Sequence, residues 1–95
     1  MLYRIIHRAE VMEDFSGIPA NMRDRIVRAI ETRLGTAPDR YGKRLGKDLS
    51  GLWRLRVGDY RVVYELDPAE HLVRVWCVLG RRGVYPEIQR RWERR

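Results

Sequence analysis

The segment from Leu55 to Tyr64 places two arginines opposite each other on a predicted β-hairpin. Two alternating apolar runs are joined by Gly58-Asp59, a pair that suits a two-residue primed turn. Such a turn sets Arg56 opposite Arg61, and the alternation of side chains along a strand adds Arg54 to the same face. Like charges directly opposite each other destabilise a sheet, so this face is typical of one that meets a polyanion. Guanidinium groups grip phosphate in a bidentate fork and stabilise charge that develops on it during a displacement.

The opposite face of the hairpin is predicted to be apolar and to belong to the core. Its members are Trp53, Leu55, Val57, Tyr60, Val62 and Tyr64. Because Trp53 lies away from the arginines, we interpret Trp53, Trp76 and Trp92 as core residues rather than as platforms for stacking bases.

The charge of the chain supports an anionic partner. The formal net charge is +7, with 20 basic residues against 13 acidic ones, and all the basic residues except Lys43 and Lys47 are arginines. The bases cluster at 40–61 and at 81–95, where few carboxylates balance them. Clustering of this kind favours nucleic acid or an acidic protein as partner, and a solvated basic surface is the alternative. If the partner is nucleic acid, the bases of 40–47 are expected to add non-specific attraction to its phosphates.

Length and composition predict one cytoplasmic domain spanning residues 1–95. Charge interrupts the N-terminal residues 1–8 before a signal-peptide core could form, and no stretch reaches transmembrane length, so no membrane partner is expected. The single Cys77 lies in an apolar strand pattern and is interpreted as a small core residue. The spacing of potential ligands predicts no metal site, and no cofactor motif is present.

The predicted order of elements is a strand, two helices, three strands and a terminal helix, which is an α+β fold. The predicted bounds are a strand at 2–7, helices at 9–15 and 19–34, a hairpin at 52–66, a third strand at 72–79 and a helix at 86–95. The helix at 19–34 rests on apolar residues that recur every four positions. Residues 36–50 are predicted to form a mobile basic loop. The order predicts an antiparallel β-meander with the helices on its apolar face and the arginines on the other.

The run from Gly51 to Asp67, followed by a Val-rich strand and by Gly80–Tyr85, resembles the RelE/ParE toxin superfamily. The resemblance extends to the preceding helical pair and covers nearly the whole chain. It implies a RelE-like fold, in which a small sheet packs on an N-terminal helical pair, and a neutralising antitoxin partner. The ending Gly80–Tyr85 resembles the RelE branch, whose members cleave mRNA on the ribosome. The ParE branch, which poisons DNA gyrase, generally lacks the catalytic residues of the RelE branch.

The resemblance implies roles for five residues. Arg61 matches the phosphate-binding arginine of the family, Arg82 the basic residue after the last strand, and Tyr85 the tyrosine that follows it. Arg54 and Arg56 match two basic strand positions that are often lysine in the best-known RelE proteins. Because arginine stays protonated in proteins, these two are expected to bind and stabilise phosphate charge rather than to transfer protons.

The chemistry implied is metal-free attack of the RNA 2′-hydroxyl on the adjacent phosphate. The protein must align the attack, stabilise the developing charge and move two protons. His7 and His71 are predicted at strand ends away from the arginine face, so Tyr85 is the remaining candidate base. Taken alone, a tyrosine at a helix start is more often a hydrophobic anchor, and only the match to the family motif makes the two roles equally typical. A ribosome would supply the alignment that one small basic face lacks.

We therefore interpret the sequence as the toxin of a type II toxin–antitoxin system, an endoribonuclease that cleaves translated mRNA on the ribosome. The alternatives are a ParE-like gyrase inhibitor and an inactive relative that binds only its antitoxin. The presence of both Arg82 and Tyr85 favours the enzyme. The predicted RNA-binding residues are Arg40, Lys43, Arg44, Lys47, Arg54, Arg56 and Arg81.

Overall fold

The computed structural model describes residues 2–95, and a five-stranded mixed sheet is its central element. The strands are β1 (Arg4–His7), β2 (Lys43–Arg44), β3 (Leu52–Val57), β4 (Tyr60–Asp67) and β5 (Leu72–Gly80). Their order across the sheet is β1-β5-β4-β3-β2. β1 pairs parallel to β5, and the other neighbours are antiparallel. The predicted α+β fold with the meander β3–β4–β5 is confirmed, and the two short strands extend it at either edge.

Four α-helices surround the sheet. They are α1 (Glu10–Ser16), α2 (Ala20–Ala29), α3 (Pro38–Tyr41) and α4 (Val84–Glu93). α2 continues into a π-helical turn at Ile30–Leu34, which Gly35 closes by donating its N–H to the Ile30 carbonyl at 3.0 Å. Only glycine fits there, because a Cβ on Gly35 would lie 2.3 Å from the Glu31 carbonyl oxygen. Within residues 2–95, no helix has the length and apolarity needed to cross a bilayer.

The hairpin between β3 and β4 has the predicted register. Val57 pairs with Tyr60 and Arg56 with Arg61, so the turn contains only Gly58 and Asp59. Gly58 has a φ of +59°, a left-handed conformation that glycine adopts without steric cost. The arginines therefore share a face of the sheet, as the alternation predicts.

The sheet is buried on both faces, and this corrects the prediction that all helices lie on one side. A first core fills the space between α1, α2 and one face of the sheet, and it includes Val11, Ile26, Leu34, Leu55, Val62, Tyr64, Val75 and Val78. A second core lies under α4 on the arginine face, and it includes Leu52, Val63, Trp76, Cys77, Val84, Ile88 and Trp92. The arginine face is thus apolar beneath α4 and basic at the hairpin end.

An irregularity in β5 supplies the second core with two adjacent side chains. Val63 pairs with Cys77 and Tyr64 pairs with Val75, so Trp76 is an extra residue in the ladder. Trp76 and Cys77 both pack in the second core as a result. Burial raises the pKa of the Cys77 thiol to about 12, and its interpretation as a core residue is confirmed.

Residues 36–50 form short ordered elements, so the prediction of a loop is wrong. The segment contains α3, then β2 paired to β3, then a 3₁₀ turn at Lys47–Leu49. The fully buried Tyr64 fixes the segment, because its hydroxyl donates a hydrogen bond to the Pro38 carbonyl at 2.6 Å. Burial, together with the nearby charge of Asp39, raises the pKa of Tyr64. Local glycine and proline content did not reveal this long-range contact.

Replacement of Gly42 by alanine is expected to destabilise the fold by about 1–3 kcal/mol, the usual range for overpacking. A Cβ on Gly42 would lie 1.8 Å from the Tyr64 hydroxyl oxygen and 3.1 Å from the Arg54 carbonyl oxygen. Gly46→Ala is the matched control, because a Cβ there meets no atom within 4 Å. Urea unfolding of the two variants measures the difference. Equal midpoints for both variants would contradict the close approach at Gly42.

A buried ion pair attaches α4 to α1 and to the open edge of β5. The Arg91 guanidinium donates to both Asp14 carboxylate oxygens, at 2.8 and 2.7 Å, and to the Trp76 carbonyl at 2.8 Å. The Asp14 carboxylate also accepts the Val78 backbone N–H at 3.0 Å. Both charged residues are under 10 % exposed. β1 ends at His7. Beyond that point the side chains of Arg91 and Asp14 supply the hydrogen bonds to the β5 edge, at the Trp76 carbonyl and the Val78 N–H.

Candidate nucleic-acid interface

The hairpin end of the sheet carries an unbalanced cluster of positive charge. Arg56 is exposed, while Arg54 and Arg61 are half-buried. Lys43 of β2 pairs with Arg54 and adds a fourth base beside the same strand. Among the residues that the structure describes, no carboxylate lies within 4.0 Å of these four side chains. Their mutual repulsion favours the binding of an anion.

Arg61 is held in place by the hairpin turn itself. Its Nη1 donates to the Gly58 carbonyl at 3.0 Å and to the Tyr60 carbonyl at 2.9 Å. These two bonds fix the guanidinium at the tip of the hairpin, with its other nitrogen atoms available to a ligand. A donor fixed in advance can stabilise charge without reorganising.

Arg81 and Arg82 lie next to the same tip. The Arg81 N–H donates to the Asp59 carbonyl at 2.8 Å, which ties the end of β5 to the hairpin turn. Both arginines are exposed and line an open groove of about 380 Å³ together with Asp59 and Tyr60. The structure therefore brings Arg61, Arg81 and Arg82 to one end of the sheet.

Tyr85 lies in the first turn of α4, which begins at Val84 rather than at the predicted residue 86. Its half-buried ring packs against the second core, as does Leu79, the residue paired with Arg61. Its hydroxyl has no hydrogen-bond partner within residues 2–95, and no buried polar side-chain atom there lacks one, so the hydroxyl reaches solvent. Tyr85 thus combines an anchored ring with an accessible hydroxyl on the arginine side of the sheet.

The charged residues of α4 hold this helix in its position. Hydrogen bonds from Arg90 and Arg91 lower the pKa of Glu87 to about 2. Arg91 donates its Nε–H to Glu87 at 2.8 Å while its other nitrogens bind Asp14. The ion pair that binds α4 to α1 therefore also supports the turn that carries Tyr85.

The structure divides the bases predicted at 40–47 between two sides of the sheet. Lys43 shares the face of Arg54, and Lys47 lies in the 3₁₀ turn whose Leu49 packs against the second core. Arg44 instead stacks over the Trp53 ring at 5.1 Å on the face of the first core. Arg40 lies in α3 beside Thr36 and Tyr41, and the structure does not bring it to the hairpin tip.

Three arginines of the predicted helix at 19–34, to which the sequence analysis assigns no site role, also lie close to the hairpin. Arg25, Arg28 and Arg33 line a groove that contains Arg56 and Gly58. The available signal was that Arg25 and Arg28 are three positions apart and so share one face of α2, and the π-helical turn brings Arg33 to the same groove.

The two histidines lie away from the hairpin tip, as the sequence predicts. His71 is in the turn between β4 and β5, where its ring contacts Tyr3 at 5.3 Å between centroids. His7 ends β1 and packs against Phe15 at 6.3 Å. Across the described residues, no three His, Cys, Asp or Glu side chains group as metal ligands.

Sequence comparison identifies the family. The model of the family described as "ParE toxin of type II toxin-antitoxin system, parDE" matches residues 5–85. The protein named "Toxin RelE" from Mycobacterium tuberculosis is 34% identical over 83 residues, which are 87% of this chain and 86% of that protein.

Comparison of structures gives the same relationship. The chain is similar to a chain of the RelBE2 toxin–antitoxin complex of M. tuberculosis, with a TM-score of 0.81 and 25% identity over 84% of this chain and 99% of that one. The intact RelBE complex of E. coli shares the fold, with a TM-score of 0.68 and 15% identity over 82% of this chain and 95% of that one. This chain therefore belongs to the RelE/ParE superfamily and is a RelE-family toxin of a toxin–antitoxin system.

Proposed function

We propose that the protein is a ribosome-dependent endoribonuclease that cleaves translated mRNA. The observation that carries this proposal is that Arg61 and Arg82 lie at the hairpin end of the sheet, while Tyr85, three residues after Arg82, packs on the arginine face. Arg61 is fixed by two carbonyls, Arg82 lines the groove beside it, and Tyr85 is anchored with its hydroxyl accessible. A charge-stabilising group and a proton acceptor on one surface are two of the parts that cleavage by a 2′-hydroxyl requires, and the ribosome would supply the alignment.

The reaction proposed is attack of the RNA 2′-hydroxyl on the adjacent phosphate. Tyr85 accepts the proton of the attacking hydroxyl, while Arg61 and Arg82 stabilise the charge on the phosphate oxygens. Arg54 and Arg56 clamp the flanking backbone, since guanidinium groups stay protonated and bind phosphate through paired N–H donors. The bond between phosphorus and the 5′-oxygen of the next nucleotide breaks, the 5′-oxygen takes a proton from water and leaves as a 5′-hydroxyl, and a 2′,3′-cyclic phosphate remains on the upstream fragment.

A protein antitoxin, the ribosome and mRNA are the proposed partners, with residues 1–95 acting as one domain in the cytoplasm. The solved relatives from M. tuberculosis and E. coli are complexes of a RelE-type toxin with its antitoxin. The net charge of +7 favours an acidic antitoxin segment that folds as it wraps the domain. Co-expression with the product of an adjacent acidic gene is the direct test, and it should restore growth and yield a complex.

Induced expression without antitoxin is expected to arrest growth and to cut mRNA within translated codons. Primer extension on ribosome-bound transcripts measures the cuts, and the same RNA free of ribosomes should be cut weakly. Arg4→Gln is a matched control, because Arg4 is exposed in β1 at the other end of the sheet from the hairpin tip. Intact mRNA accompanied by trapped gyrase–DNA breaks would assign the protein to the ParE type of toxin, and intact mRNA and DNA would indicate an inactive antitoxin-binding relative.

A further inference from the structure

A second cluster of arginines lies outside the hairpin tip, between α2 and the outer edge of β3. Four arginines line this groove of about 190 Å³, and we name it the helical arginine groove: Arg25, Arg28, Arg33 and Arg56. The first three come from α2 and its π turn, and the fourth comes from the hairpin. β2 pairs only with Trp53 and Arg54, so the edge of β3 beside Arg56 stays open and forms one wall.

The charge of this groove is unbalanced. All four guanidinium-bearing residues are exposed, and within the part of the chain that the structure describes none of them pairs with a carboxylate. No acidic residue lines the groove. Arg25 and Arg28 are three residues apart on α2, where like charges destabilise a helix, so an anion that neutralises this pair is stabilising.

Two of the arginines are positioned by neighbouring groups. Arg33 lies over the Tyr41 ring, 5.9 Å from its centroid. Arg25 reaches the hairpin turn, because its Nη1 would be 3.4 Å from a Cβ on Gly58. Arg61, on the hairpin tip, donates its Nη1 to the Gly58 carbonyl at 3.0 Å. The groove and the hairpin tip therefore meet at Gly58 and form one continuous basic track.

We propose that the helical arginine groove binds the sugar–phosphate backbone of RNA that extends from the cleavage site. The inference rests on the proposed function, because it takes the hairpin tip as the point where RNA is cut. Ala29 and Val57 form the apolar part of the lining and are 7 % and 4 % exposed, so the groove offers a peptide little surface for its side chains. Arginine forks match phosphates in geometry and charge, and they need no particular base sequence.

The test replaces the three helical arginines together, as Arg25→Gln/Arg28→Gln/Arg33→Gln, and leaves Arg56 intact because it belongs to the candidate site. The control is Arg4→Gln/Arg23→Gln/Arg94→Gln, which removes the same charge at positions outside the groove. The probe is a ribosome programmed with mRNA whose 2′-hydroxyls are methylated, so that binding is measured without cleavage. Affinity is measured between 50 and 200 mM salt, and thermal melts establish that both triple variants are folded.

The groove variant is expected to bind about tenfold or more weakly than the control. Its plot of log affinity against log salt should be flatter by about 2, since each lost phosphate contact removes about 0.7 from the slope. Its single-turnover cleavage at saturating ribosomes should match that of the control. The same affinity and slope as the control would overturn the proposal, as would weaker binding to an antitoxin peptide with ribosome binding intact. The wild-type protein could cleave no mRNA while the groove variant still shows the flatter slope. In that case the proposed function fails and this inference stands.

Discussion

Tyr85→Phe is expected to lower single-turnover cleavage of ribosome-bound mRNA by about 10²–10⁴-fold, the usual contribution of a general base. The substitution removes only a hydroxyl that bonds to no other group within residues 2–95, while the ring keeps its contacts in the second core. The melting temperature and antitoxin binding should therefore stay unchanged. Tyr41→Phe is the matched control, because Tyr41 is 55% exposed and lies in α3.

A Tyr85→Phe protein that cleaves at the wild-type rate would show that Tyr85 is only an anchor for α4. The arginines supply a second comparison. Arg61→Ala should lose about 2.7–4 kcal/mol of transition-state stabilisation, and Arg82→Ala a similar amount, because both guanidinium groups stabilise the same phosphate in the proposed reaction. Arg61→Ala also removes two hydrogen bonds to the hairpin turn, so its melting curve must be measured beside its rate.

Asp14→Ala is expected to destabilise the protein by about 3–5 kcal/mol, the largest stability effect predicted for a single substitution here. The change leaves the buried Arg91 without its partner, and an uncompensated buried charge is costly. It also removes the acceptor of the Val78 N–H. Glu13→Ala is the control on the same helix, since Glu13 is exposed, and its effect should stay within about 0.5 kcal/mol.

Urea unfolding of these variants, completed by Arg91→Ala and by the double variant, gives the coupling between the two charges. Two groups in direct contact should couple by about 0.5–3 kcal/mol. A coupling of zero, or an Asp14→Ala midpoint equal to that of Glu13→Ala, would contradict the role of the pair in attaching α4.

The hairpin could be predicted from the sequence because its determinants are local. A glycine in the turn and side chains that alternate along each strand set the pairing of Arg56 with Arg61, and the structure has that pairing. The position of α4 could not be derived from alternation alone. It depends on the extra residue at Trp76, which turns two adjacent side chains to the same face. The unbroken apolar run at residues 75–79 of β5 was the available sign that both faces of the sheet are buried.

Contacts between distant parts of the chain account for the other differences. Asp14 and Arg91 are 77 residues apart, and neither stands out in the sequence. Residues 36–50 are ordered because Tyr64, which lies in β4, donates its hydroxyl to the Pro38 carbonyl. Arg25, Arg28 and Arg33 could not be assigned to a groove from the sequence, because their shared groove exists only when α2 packs beside the edge of β3.

The chemistry of the cut ends tests the central claim most directly. Purified protein is mixed with ribosomes that carry a defined mRNA, and the cleaved 3′ ends are identified by mass spectrometry after a single turnover. Attack by the RNA 2′-hydroxyl at the arginine face predicts a 2′,3′-cyclic phosphate at the cut and a free 5′-hydroxyl on the downstream fragment. A 3′-hydroxyl with a 5′-phosphate, or no cut at all in the presence of translating ribosomes, would contradict the account.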